Sequence, residues 1–309
     1  MKSSILLSLI AVTMALQGCS AKPMPQTPSH LLSGSKEIKR GTFWYNRGCY
    51  PRALNYFSRA HERFTASDQI DGVAMSLNNM GSAYKALGDI DAALLYFEES
   101  FRIYSDIHSH RGALQALSNK AAALIERGEM EQAEEAIGQA EKIAGSSQIS
   151  FIPLDCNKAN LLIRREKYAE AHRILSGVSV KTDPENLLES ALVNTAFGKL
   201  LVAEKAYPEA MEHFKKALAA DQKRGFQEGI AGGLSAIGEA YRLQGDPKLA
   251  ADFLSRSVKV FAYLGNRNKV ETLLVSLEAA SKEAGADTAL TAHFAKSWLE
   301  GAVVEGPCD

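Results

Sequence analysis

The sequence predicts an all-α solenoid of stacked helix–turn–helix units, and a recurring pattern of small residues carries this prediction. A small residue recurs in the first helix of each unit, at Gly41, Gly81, Ala121, Ala159, Gly198 and Gly238. An alanine recurs in the second helix, at Ala53, Ala93, Ala133, Ala171, Ala210 and Ala250. Both series advance by the same intervals of 40, 40, 38, 39 and 40 residues. Such fixed self-similarity is typical of stacked supersecondary units.

Bulky residues keep the same register and explain what the small ones are for. Three residues after each small residue come Trp44, Tyr84, Leu124, Leu162, Leu201 and Tyr241. Four residues after each alanine come Phe57, Phe97, Ile137, Leu175, Phe214 and Leu254. Glycine or alanine lets paired helices approach closely while a bulky neighbour fills the adjoining space. Because one unit leaves an apolar face uncovered, each unit must stack on the next.

Glycines also predict the turns. Between the two helices of a unit a left-handed residue is expected, and Gly48, Gly88, Gly128 and Gly245 stand there. Glu166 and Lys205 replace glycine in the fourth and fifth units. Further glycines precede the first helix of three units and are expected to mark the corners between units; they are Gly72, Gly112 and Gly229.

The stretch "NNMGSAYKALGDIDAALLYFEES" resembles the tetratricopeptide repeat (TPR) at Gly81, Tyr84, Gly88, Ala93 and Phe97. The resemblance implies a right-handed superhelical solenoid over 36–300, with about seven repeats and a tail at 301–309. The common repeat has 34 residues, so the period of about 40 resembles a longer subclass found in peptide-binding scaffolds. In the seventh unit Leu274, Gly285, Leu290 and Phe294 keep the register while Glu278 and Ser281 break it, which is typical of a terminal cap.

The N-terminus predicts export and lipidation. A basic residue, a short apolar run and small residues form a secretory signal over 1–18. Leu16, Gly18 and Cys19 resemble the box of a bacterial lipoprotein, which implies a lipid on Cys19 and, with Ser20 after it, an outer-membrane protein of a Gram-negative cell that faces the periplasm. Residues 19–35 are rich in proline and small polar residues, which favours an extended tether.

Three cysteines remain after Cys19, an odd number that cannot pair completely within one chain. Cys156 falls in a predicted helix and is expected to be a small buried hydrophobe. A free thiol is favoured for Cys308, with pairing to another chain as the alternative. A Cys49–Cys308 bridge is disfavoured because it would require the two ends of the solenoid to meet.

The residues with catalytic or ligand-binding chemistry form no recognisable catalytic motif, so the sequence predicts neither an enzyme nor a cofactor. It contains no phosphate-binding loop, nucleophile elbow or dinucleotide fingerprint. His108 and His110 lack a third ligand, and zinc usually takes three or four, so a solvated corner is expected rather than a metal site. The chain has 35 basic and 36 acidic residues, which gives no support to nucleic-acid binding.

Asparagines suggest a partner-binding surface. In TPR solenoids the first helices line the concave groove, and the position two residues before the small residue faces it. Here that position holds Lys39, Asn79, Asn119 and Asn157, and flanking positions hold Asn78, Lys85, Asn160 and Arg164. An asparagine amide can both donate to and accept from a peptide group, so this row suits an extended backbone. The alternative is that the asparagines brace neighbouring units.

These patterns predict a non-catalytic scaffold or adaptor that holds a protein or peptide in its concave groove. The chain resembles lipoproteins of this general design that assemble pilus, secretion or peptidoglycan complexes, and a role of that kind is expected. A sensor for a short secreted peptide is the alternative. A cell-wall hydrolase is less favoured, because the groove positions show no converging carboxylates and aromatics.

Overall fold

A computed structural model describes residues 32–183, 185–301 and 308. Within these residues the chain forms fourteen α-helices and no β-strand, which confirms the predicted all-α class. The helices are α1 (Ser33–Asn46), α2 (Tyr50–Ala66), α3 (Ile70–Ala86), α4 (Ile90–Asp106), α5 (His110–Arg127), α6 (Met130–Ser147), α7 (Ile152–Arg164), α8 (Tyr168–Ser179), α9 (Leu187–Ala203), α10 (Tyr207–Arg224), α11 (Gln227–Gln244), α12 (Pro247–Tyr263), α13 (Arg267–Ala284) and α14 (Ala289–Leu299). The predicted signal and Cys19 lie outside the described residues, and α1 begins inside the predicted tether.

Consecutive helices pack in pairs, and the pairs stack. The helix pairs α1–α2 to α11–α12 are the six predicted units. The first helices of successive units also touch, α1 with α3, α3 with α5, α5 with α7, α7 with α9, and α11 with α13. The first helices therefore form one layer of the solenoid and the second helices flank it. None of the described helices has the length and apolar character needed to cross a membrane.

Close packing within each unit depends on the small residues, as predicted. A side chain at Gly81 would lie 2.7 Å from the ring of Phe97, which is fully buried on the partner helix α4. Gly41 and Gly198 are covered in the same way by Phe57 and Phe214. The residue that fills the space comes from the second helix. Tyr84, next to Gly81 on α3, stacks instead on Tyr96 with ring centroids 5.2 Å apart.

The turns within units are left-handed, also as predicted. Gly88 has φ = +87°, and Glu166 and Lys205 adopt the same region with φ of 59° and 62°. Gly48, Gly128 and Gly245 share it. The backbone N–H groups after the helix then bond to its last carbonyls, as Asp89 does to Tyr84 at 3.0 Å. This closure satisfies acceptors that the helix end would otherwise leave unpaired.

The prediction that Gly72, Gly112 and Gly229 mark the corners between units is wrong. Each lies in the first turn of a helix with an ordinary φ. The left-handed corner residues come earlier, for example Asp68 and His108. Gly72 and Gly112 are small because Phe64 and Tyr104, from the end of the preceding helix, occupy the space a side chain would need.

The two ends of the solenoid meet, contrary to expectation. Tyr50 at the start of α2 donates a hydrogen bond to Glu228 of α11 at 2.6 Å. Tyr45 stacks on Phe226 with centroids 6.1 Å apart. Cys49 and Cys308 form a disulfide with Cα atoms 5.3 Å apart, so the prediction of a free Cys308 is wrong. The superhelix curves far enough over six units to bring its last residues back to its second helix.

Cys156 is buried and unpaired among the described residues, which confirms its predicted role as a core residue. Burial raises the pKa of its thiol to about 12. Because the thiolate is the reactive form, this thiol is held inert at neutral pH.

The seventh unit departs from the repeat register. Leu290 and Phe294 stand in sequence where the earlier units have core residues, yet they are 65% and 37% exposed. Thr291 and Ala295 are buried in their place. The reason is that α14 packs mainly against α12, with few contacts to α13, so a different face of α14 covers the end of the stack.

Candidate functional site

The first helices carry a cavity of about 710 Å³ near the start of the solenoid. Its walls include Met75, Asn78, Asn79 and Ser82 of α3, Arg111, Gln115 and Asn119 of α5, Tyr45 and Asn46 of α1, and Phe151 before α7. The cavity is mixed in character, with amide and hydroxyl groups among aromatic and aliphatic walls. Such a composition can orient a ligand through a few polar groups while burying its apolar parts.

Asparagines of neighbouring units are bonded to each other in this cavity. The Asn119 amide nitrogen donates to the Asn78 oxygen at 3.0 Å. The Asn119 oxygen in turn accepts from Gln115 at 3.0 Å. Asn78 is buried, whereas Asn79 is partly exposed and shows no such bond among the described residues. Of the predicted row, Asn79 is therefore the amide most open to a ligand.

Asn157 braces two units. Its amide nitrogen donates to the carbonyl oxygen of Ser118 at 2.8 Å and to the Ser118 hydroxyl at 2.9 Å. Ser118 is buried in α5 of the preceding unit. The bracing role that the sequence left open is thus present at this position, while binding of a partner by the asparagine row stays a prediction.

A second cavity of about 600 Å³ lies toward the C-terminal ends of the same helices. It is lined by Lys85, Ala122, Ile125, Glu126, Asn157, Asn160, Ile163, Arg164, Lys199 and Lys269. Four of these are cations and one is a carboxylate. The chain as a whole carries a formal charge of −1, so positive charge is concentrated here.

The charges in the second cavity influence one another. Lys85 pairs with Glu126 at 3.2 Å. The pKa of Lys199 lies below its usual value, first because the surrounding protein limits its hydration and then because Arg164 repels the ammonium. Lys85 and Lys269 add to this repulsion, whereas Glu126 opposes it. Lys199 nevertheless keeps an exposed surface on the wall of this cavity.

Seven of the eight predicted groove residues line these two cavities, Asn78, Asn79 and Asn119 the first and Lys85, Asn157, Asn160 and Arg164 the second. Lys39 is exposed on α1 and lines neither cavity. Sequence reasoning missed Lys199 and Lys269. Lys199 directly follows the small residue Gly198, as Asn160 follows Ala159, so extending that row by one unit would have found it.

Within residues 32–183, 185–301 and 308, no group of three or more His, Cys, Asp or Glu side chains is placed to hold a metal ion. His108 is the left-handed corner residue before α5, and His110 is the first residue of that helix.

A family model described as tetratricopeptide repeat matches residues 38–106 and 72–146. The chain therefore carries tetratricopeptide repeats in its first three units, as the residue pattern predicted. Among curated proteins, none is similar to this chain in sequence.

Solved structures show the same fold over most of the chain. A Rap protein complexed with competence and sporulation factor is similar over 83% of this chain and 76% of that chain, with 15% identity and a TM-score of 0.53. The Rap conjugation gene regulator of the plasmid pLS20, in complex with the Phr* peptide, is similar over 88% of this chain and 80% of that chain, with 13% identity and a TM-score of 0.54. At these identities the similarity shows the TPR-like solenoid fold.

Proposed function

We propose that this chain is a non-catalytic scaffold that holds an extended segment of a protein or peptide against the inner wall of its solenoid. The observation that carries the proposal is the pair of cavities of about 710 and 600 Å³ along the same first helices. Each has the size of a small-ligand site, and together they follow α3 and α5 from one end to the other. Asn79 offers a free amide within this path, and amides suit a peptide backbone of any sequence.

We also propose that the scaffold is exported and anchored by lipid on Cys19 to the periplasmic face of a Gram-negative outer membrane. Support comes from the lipoprotein-like box at Leu16–Cys19 and from the Cys49–Cys308 disulfide, because disulfides persist in oxidising compartments. There it would act as an adaptor for an envelope complex such as a pilus, secretion or peptidoglycan machine. Metabolic labelling with a palmitate analogue should mark the wild type and fail with Cys19→Ala.

Cross-linking in intact cells tests the scaffold proposal. A photoreactive residue at position 79 should capture a discrete partner segment, identified by mass spectrometry. The same residue at Lys142, exposed on α6 and outside both cavities, is the matched control. Equal capture at both positions, or capture at Lys142 alone, would contradict binding on the inner wall.

A sensor or binding protein for a short peptide is the second candidate, because both similar Rap structures hold ligands named as a factor or a peptide. The two cavities, of about 710 and 600 Å³, have the size of small-ligand sites, which also suits a short peptide. The mass of the cross-linked product separates the candidates, since a short peptide would add little mass and an envelope protein would add much.

A further inference from the structure

The second cavity holds cations that the protein itself leaves unneutralised. Arg164, Lys199 and Lys269 form no ion pair among the described residues. The only carboxylate in the lining, Glu126, already pairs with Lys85. The cations line one cavity, and the pKa of Lys199 is lowered first by its limited hydration and then by repulsion from Arg164, Lys85 and Lys269. Like charges held together on the wall of one cavity repel one another, and a ligand of opposite charge would relieve this repulsion.

Helix dipoles account for only part of this arrangement. Lys85 and Arg164 lie in the last turns of α3 and α7, where the helix dipole favours a cation. Lys269 lies in the first turn of α13, where the dipole opposes one. Lys269 lines the cavity because the curvature of the superhelix places α13, from the last unit, beside the earlier units. Its ammonium group forms no ion pair within the described residues.

We propose that this cavity binds the carboxylate side chains of an acidic peptide segment through Lys199, Arg164 and Lys269. This inference rests on the proposed scaffold function and names the chemistry of its ligand. The cations come from three elements, α7, α9 and α13, so they surround the cavity rather than forming one exposed stripe. The three cations can therefore bind two or more carboxylates of one peptide at the same time.

A peptide fits the site better than a small inorganic anion. An ion such as phosphate would leave most of the 600 Å³ empty. Asn160 also lines the cavity, and its side-chain oxygen is buried without a hydrogen-bond partner among the described residues. An oxygen acceptor cannot bind an anion, but a peptide N–H can donate to it once the side chain turns. The neighbouring cavity on α3 and α5 offers room for the rest of the segment.

Binding of two matched probes tests the proposal. The acidic probe is a fluorescein-labelled peptide of alternating glycine and glutamate with an amidated C-terminus, and the neutral probe has glutamine for glutamate. With the full chain we expect the acidic probe to bind at least tenfold more tightly at low salt, and the difference to shrink as salt screens the charges. Lys199→Gln should weaken the acidic probe about tenfold and leave the neutral probe unchanged.

Lys142→Gln is the control, because it removes the same charge from an exposed site on α6; it should leave both probes unchanged. Lys269→Gln is a second test variant, since it lies at an exposed helix start where folding should survive. Equal binding of the two probes, no binding of the acidic probe at millimolar concentration, or equal effects of Lys199→Gln and Lys142→Gln would each overturn the proposal. Displacement by inorganic phosphate as effective as by peptide would also overturn it. The cross-linking experiment decides the scaffold function independently.

Discussion

At the scale of single residues, side-chain size is matched across each helix pair. Where the first helix has glycine, the facing residue of the second helix is phenylalanine in three units, as with Gly81 and Phe97. The sixth unit pairs Gly238 with Leu254. In the third and fourth units Ala121 and Ala159 replace glycine, and the facing positions hold the smaller Ile137 and Leu175. The rows in the sequence predicted the close approach but not the residue that fills it, because spacing along the chain does not give side-chain direction.

This matching predicts a compensating pair of substitutions. Gly81→Ala should lower the free energy of unfolding by about 1–3 kcal/mol, because the new methyl group overlaps the buried Phe97 ring. Adding Phe97→Leu should recover part of that loss, since the smaller side chain makes room. Thermal and urea unfolding followed by circular dichroism measures both.

Gly138→Ala is the control for this pair. Gly138 lies in α6 with open space where a side chain would project, so alanine there should stabilise the chain by about 0.5–1 kcal/mol. Additive losses in the double variant, with no recovery, would show that Phe97 is not what excludes a side chain at position 81.

At the scale of elements, the corner between α10 and α11 replaces an aromatic ring with a carboxylate. Asp221 stands where Phe64 and Tyr104 stand in the second helices of the first two units, and like them it packs against a glycine, Gly229. It is 7% exposed and pairs with Arg224 at 2.7 Å. Turns within units followed from the glycine pattern. The corners did not, because their left-handed residue is polar in some units, such as His108, and glycine in others, such as Gly225 between α10 and α11.

Burial raises the pKa of Asp221 to about 6, although Arg224 opposes the shift. The unfolded chain titrates this carboxyl near 3.9, so between about pH 4 and 6 the folded state binds more protons. The contribution of Asp221 to the free energy of unfolding is therefore fully present below about pH 4, and it is lost as the pH rises through about 6. Relative to Asp221→Asn, the wild type should lose up to about 3 kcal/mol between pH 4 and pH 7.

Urea unfolding at a series of pH values measures this difference. Asp252→Asn, at an exposed position on α12, is the control and should follow the wild-type curve. If the Asp221→Asn curve also runs parallel to the wild type, Asp221 does not titrate differently in the folded chain.

At the scale of the whole molecule, closure of the superhelix decides which residues share a cavity. The repeat rows predicted the units and their pairing, yet not the curvature, because a small rotation at each unit boundary accumulates over six units. For that reason the repeat rows predicted Asn160 and Arg164, which lie in a unit adjacent to other residues of the second cavity. They did not predict Lys269, because α13 belongs to the last unit of the solenoid. The same curvature brings Cys308 to Cys49.

The closure predicts how the chain responds to reduction. Breaking the Cys49–Cys308 bond, which closes a loop of 259 residues, should destabilise the chain by up to about 5 kcal/mol through the entropy of the unfolded state. Cys49→Ser should unfold at the same lower temperature with or without reductant, whereas the melting temperature of the wild type should fall to that value only when the disulfide is reduced.

Thiol labelling gives a second test. After reduction of the folded chain, iodoacetamide should label Cys308 and leave Cys156 unlabelled, because burial raises the pKa of the Cys156 thiol. Tyr50→Phe removes the neighbouring bond to Glu228 and should cost about 1 kcal/mol with the disulfide intact. Labelling of Cys308 in the unreduced folded chain would show that Cys49 and Cys308 are not bonded, and the ends would then be held together without the disulfide, by contacts such as Tyr50–Glu228 and Tyr45–Phe226.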